Sequence, residues 1–69
     1  MQGEIINTRH NGGTIRCDAN GQAVNFAWAD CDGSLGPTNC GYSTRVTFYI
    51  EVVRGQDRAI GISRAENEG

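Results

Sequence analysis

This sequence predicts a small all-β domain of five short strands, on three observations. Polar and apolar residues alternate in several short runs, the two-residue period of a strand with one packed face. Ten glycines, one proline and many Asn and Asp residues interrupt the chain at short intervals, as in turn-rich β domains. No segment carries a convincing 3.6-residue apolar period.

The elements follow in order. Gly3 to Arg9 carries β-branched residues and stops at His10-Asn11-Gly12-Gly13, where Asn-Gly is expected to supply the positive φ of a tight hairpin. Gly13 to Asp18 alternates as a second strand and ends in the turn formers Asp18-Ala19-Asn20-Gly21. In the third run, Gln22 to Trp28, Val24 and Phe26 fall on one face, with Asn25 and Ala27 on the other. Asp30 to Tyr42 has no period and reads as a long loop. Ser43 to Val53 is the clearest strand, with Val46, Phe48, Ile50 and Val52 alternating against Arg45, Thr47, Tyr49 and Glu51. Arg54-Gly55-Gln56-Asp57 forms a turn, Arg58 to Ser63 a fifth strand, and residues 65–69 a polar tail, so residues 1–64 make one domain.

At 69 residues, folding buries only about 60% of the unfolded chain's surface, which leaves room for one core of modest stability. Charged residues at 20% fall well short of a disordered composition. No apolar run approaches the roughly 18–20 residues of a membrane span, and the start lacks a basic region followed by an apolar stretch, so a cytoplasmic protein is expected. Net charge is −2, from six arginines, no lysine and eight acids, which does not favour a polyanion over the molecule as a whole. Cys17, Cys31 and Cys40 are an odd number without close Cys-x-x-Cys spacing. Free thiols are the expectation, no zinc site is predicted, and a Cys31–Cys40 bond is left for oxidising conditions.

Three strands in a meander, a long loop and a final hairpin resemble the cold-shock domain, with marks spread over Gly3 to Arg64. These are Gly3-Glu4-Ile5 in the first strand, Gly13-Thr14-Ile15 where that family has Gly-Phe-Ile, and Asp18-Ala19-Asn20-Gly21 at its acidic-glycine turn. Ala23-Val24-Asn25-Phe26-Ala27-Trp28 stands where it has Asp-Val-Phe-Val-His-Phe, and Val46-Thr47-Phe48 and Arg58-Ala59-Ile60-Gly61-Ile62 match its last hairpin. The resemblance implies a five-stranded antiparallel Greek-key barrel of the OB type, which binds single-stranded RNA or DNA by stacking bases on aromatics of the first three strands.

Most of that aromatic platform is replaced here. Asn7 and Thr8 stand near the family's Trp-Phe, Gly12 or Gly13 and Thr14 replace its second-strand Phe residues, and Asn25 and Ala27 replace Phe and His. Each lost stack removes about 1–3 kcal/mol, so weak binding is implied. Trp28 is either a surviving platform or a barrel-edge residue whose indole N–H finds a partner. Arg9, Arg16 and Arg45 either contact phosphate or form a solvated strand face. Arg54, Arg58 and Arg64 gather on the last hairpin, where surface solubility explains them as well as binding does, and Tyr42 and Tyr49 read as core-edge residues.

His10, alone in a turn, lacks a nucleophile or acid partner, and no catalytic constellation, phosphate-cradling loop or cofactor motif emerges. An enzyme is not predicted. The expected nucleic-acid-binding residues are Asn7, Arg9, Thr14, Arg16, Asn25, Ala27, Trp28 and Arg45, with hydrogen bonding replacing stacking. The alternative is an interaction module that has lost nucleic-acid binding and regulates or inhibits a protein partner, which the aromatic deficit and the absence of lysine favour.

Overall fold

The computed structural model describes residues 1–33, 35–36 and 44–65. Five strands close into a barrel: β1 (Gln2–Arg9), β2 (Gly12–Cys17), β3 (Ala23–Ala27), β4 (Arg45–Val53) and β5 (Gln56–Arg64), in the order β1-β2-β3-β5-β4. Four seams are antiparallel, and β3 runs parallel to β5 through the pair Asn25 and Arg58, where an antiparallel barrel was expected. A parallel neighbour follows because β4 intervenes in sequence between these two strands and returns on the far side of β5. A single 3₁₀ turn, Trp28–Asp30, ends β3 one residue earlier than the period suggested.

Alternation of faces puts Ile5, Ile15, Val24, Phe26, Val46 and Phe48 inside, as the two-residue period predicts. Val52 is the exception at 65% exposed, because the end of the β4–β5 hairpin projects past the core. Tyr49, expected at the core edge, is 69% exposed. Its ring lies over Gly61, whose absent Cβ would sit 3.1 Å from Tyr49 Cδ2.

Gly61 also explains why β5 fails to alternate. The register slips between Thr47 and Tyr49, so two β5 residues, Gly61 and Ile62, oppose Phe48. Gly61 takes φ +58°, the left-handed conformation of a glycine bulge, and the extra residue lets Ala59 and Ile62 both face inward. A second slip, between Ile5 and Asn7, takes Ile6 out of the β1–β2 ladder.

The first hairpin turns differently from expectation. Arg9 pairs with Gly12 across His10-Asn11, and neither Asn11 nor Gly12 has positive φ. Gly12 is needed for close approach instead, since a Cβ there would collide with the Phe26 carbonyl oxygen and meet Ala27 Cα at 3.0 Å. At the next turn Gly21 donates to Cys17 O at 2.8 Å and Asn20 Oδ1 accepts from Gln22 N at 3.0 Å, as turn chemistry leads one to expect.

The β4–β5 hairpin has both central residues at positive φ, Arg54 at 54° and Gly55 at 79°. That geometry favours Asn-Gly over Arg-Gly. Arg54→Asn should therefore stabilise the fold by up to about 1 kcal/mol, from the relief of a left-handed backbone penalty. A urea midpoint unchanged from wild type would count against this account of the turn.

The long loop contributes to the core. Cys31 bridges to Ile62, Asp32 N donates to Ile62 O at 2.6 Å, and Leu35 is 5% exposed in the core cluster. An aperiodic segment gave no sign that Leu35 would pack. Residues 34 and 37–42 of the predicted loop, Cys40 and Tyr42 among them, Ser43 of the predicted fourth strand and residues 66–69 of the tail lie outside the described residues, while Ala65 N–H donates to Arg45 O at 3.0 Å. No helix among the described residues is long and apolar enough to cross a membrane.

Candidate nucleic-acid interface

Of the predicted residues, Asn7, Arg9, Thr14, Arg16, Asn25 and Ala27 belong to β1–β3, Trp28 to the 3₁₀ turn that follows β3, and Arg45 to β4. Register aligns Asn7 with Thr14 and Thr14 with Asn25, so three polar side chains cross the sheet in one row. Arg9, at the end of β1, folds back onto this row: its Nη2 donates to Gly13 O at 3.2 Å and its Nη1 to Thr14 Oγ1 at 3.4 Å. Thr14 Oγ1 in turn donates to Asn25 Oδ1 at 3.1 Å. Among the described residues no carboxylate forms an ion pair with Arg9.

Trp28 closes one end of the face. It is partly buried, its Nε1–H donates to Arg9 O at 2.9 Å, and its ring meets Phe26 edge-on, with centroids 5.1 Å apart at 85°. The indole is thus held as a barrel-edge residue, while part of its surface remains open beside Arg9. Ala27, next to it in β3, is partly buried and presents only a methyl group, which leaves a shallow depression lined by Asn25, Phe26, Ala27 and Arg58.

Arg16 and Arg45 lie at the opposite end of the sheet and are compensated. Arg16 Nη2 stands 3.7 Å from Glu4 Oε2, and Arg45 Nη1 is 3.9 Å from Glu4 Oε1. Arg45 also grips Asp18 with both guanidinium nitrogens, Nη1 to Oδ1 at 3.1 Å and Nη2 to Oδ2. The row of polar side chains therefore runs between a neutralised arginine cluster and the uncompensated Arg9.

Residue periodicity did not identify Arg58, which the structure brings to this face. It pairs across the β3–β5 seam with Asn25, and its Nη2 donates to Asp30 Oδ2 at the 3₁₀ turn. The available signal was topological, since a barrel of this order seats β5 beside β3.

The Arg45 hydrogen bond holds the Asp18 carboxyl below its ordinary value of 3.8, with the Arg45 and Arg16 charges adding to the effect. A carboxyl lowered in the folded state contributes stability above its unfolded value, and that contribution disappears as pH falls through the folded one. Asp18→Asn should therefore flatten the acid limb of Tm against pH below about 4, and added salt should shrink the difference because the pair is solvent-exposed. Parallel acid limbs for wild type and variant would rule this out.

Burial pushes the Cys17 thiol up, and the charges of Asp18 and Asp57 act in the same direction. Such a thiol is a poor nucleophile at neutral pH. Cys31 Sγ donates to Ala27 O at 3.7 Å. Among the described residues no three His, Cys, Asp or Glu side chains are grouped to hold a metal ion.

No known family model matches the sequence, and no curated protein matches it significantly.

Proposed function

We propose that this chain is a divergent cold-shock-like barrel of the cytoplasm that binds single-stranded RNA or DNA weakly on the outer face of β1–β3, without catalysis or cofactor. The observation that carries this reading is the row Asn7, Thr14 and Asn25, flanked by Arg9 and ended by the open side of Trp28. Arg9 supplies phosphate attraction, the polar row supplies hydrogen bonds to base edges, and Trp28 supplies a single stacking surface. Arg16 and Arg45 contribute little to the field, since Glu4 and Asp18 cancel their charge.

Titration of Trp28 fluorescence with short oligo-dT and oligo-U tests the reading. Quenching at micromolar ligand, weakening from low to physiological salt, is the expected result. Trp28→Ala, followed by anisotropy of a labelled oligonucleotide, should weaken binding by about 5- to 150-fold, the equivalent of one stack. No binding at low salt would dispose of the proposal.

A second reading, docking to a protein partner, is favoured by Tyr49 and Val52, which expose apolar surface on β4 outside the β1–β3 row. It predicts that Tyr49→Ser abolishes a protein interaction while leaving oligonucleotide titrations unchanged.

A further inference from the structure

The hydrogen-bond pattern around Asn25 determines which way its amide points. Arg9 can only donate, so Thr14 Oγ1 accepts from it and sends its own proton to Asn25 Oδ1. The carbonyl end of the amide is thereby turned to Thr14, and both Nδ2 protons are turned away from it. Across the β3–β5 seam, Arg58 commits Nη2 to Asp30 and retains the donors on Nη1 and Nε. These two side chains line one groove of about 220 Å³ with Phe26 and Ala27, whose side chains are apolar. The polar side chains bordering the groove thus turn donors toward it, with the one amide oxygen directed at Thr14.

A groove of this character matches a base edge with two adjacent acceptors. Guanine presents O6 beside N7, and cytosine presents O2 beside N3. In uracil and thymine the N3–H donor separates the two carbonyl oxygens, and in adenine the N6 amino group lies next to both N1 and N7. A mismatched donor would face Asn25 Nδ2 or the Arg58 guanidinium and gain no hydrogen bond from either.

Resting on the nucleic-acid reading above, we infer that the groove between Asn25 and Arg58 selects cytosine or guanine in a single strand over uracil, thymine and adenine, with Asn25 as the specificity-determining residue.

The test is fluorescence anisotropy of labelled oligo-U heptamers that differ only in a central U, A, C or G, at low salt. The central C and G strands should bind about tenfold more tightly than those with U or A, the size of one good bidentate contact. Replacing the central G by its 7-deaza analogue should remove most of its advantage. Asn25→Leu should bring all four strands to within about twofold while leaving the salt dependence intact, whereas Arg9→Ala should weaken all four alike and flatten that dependence.

Equal affinity of the wild-type protein for the four strands would overturn the selectivity and leave the binding proposal standing. Uniform weakening by Asn25→Leu, with the preference for C and G kept, would overturn the role of Asn25 and place a phosphate in the groove. Absence of binding to every strand would overturn both.

Discussion

Gly12→Ala is expected to cost about 3 kcal/mol or more, a loss comparable to the whole stability of a domain this small, which the per-residue average places at about 3–10 kcal/mol. The reason is steric. β2 and β3 approach so closely at Gly12 and Ala27 that a methyl group at Gly12 collides with the main-chain oxygen of Phe26 rather than with a side chain that could move. Relief requires separating two strands of a closed barrel, and that strain passes to the first hairpin and to the face carrying Thr14 and Asn25. Gly33 is the control, since a Cβ there meets nothing within 4 Å, so Gly33→Ala should leave the urea midpoint almost unmoved. A Gly12→Ala protein that unfolds at the wild-type midpoint would show that the barrel adjusts at that seam.

Phe48→Ala should be as damaging, at about 3–5 kcal/mol. Phe48 is 1% exposed in a core that includes Ile5, Ile15, Val46 and Ile62, and it stands on β4 opposite the Gly61 bulge. Its backbone is tied as well, with N donating to Met1 O at 2.9 Å, so the main chain is poorly placed to collapse into the space a lost ring would leave. The cost therefore combines lost apolar burial with a cavity that persists. Phe48→Leu, which keeps most of the volume, should lose much less. Similar melting temperatures for the two variants would mean that the core refills, contrary to this account.

Much of the fold was legible because packing on one face leaves a two-residue trace. Val24 and Phe26 against Asn25 and Ala27, or Val46 and Phe48 against Arg45 and Thr47, are readable from alternation alone. Alternation fails where the ladder does. The left-handed Gly61 shifts the inward phase of β5, and Val52 carries the β4 pattern past the end of the core. Leu35 was hidden for another reason: it joins the core as a single residue of a loop, and one residue has no period.

The candidate site divides in the same way. Asn7, Thr14 and Asn25 share a row because strand pairing in a meander is local, and the sequence resemblance already pointed to those positions. The partners of the arginines were not readable. Glu4 and Asp18 reach Arg16 and Arg45 across strands, and Arg58 arrives beside Asn25 only when the barrel closes. Asn-Gly at positions 11 and 12 was legible as a turn signal but pointed to the wrong cause, because close strand approach and left-handed backbone both select glycine.

The parallel seam has a bearing on motion. β1 and β4 are laced through Gln2 and Thr47, Gly3 and Val46, and Glu4 and Arg45, whereas β3 and β5, though packed side by side, share one ladder pair among the described residues, Asn25 and Arg58, with Cys31 and Ile62 adding a neighbouring stitch. A cylinder fastened so unevenly should breathe along its thinner join, and amide protons of β3 and β5 facing that join should exchange with deuterium earliest among those of the strands. A guest held by both Asn25 and Arg58 would act as a clasp across the gap, slowing that exchange and raising the melting temperature as it fills. Recognition and mechanical closure of the barrel would then be the same event.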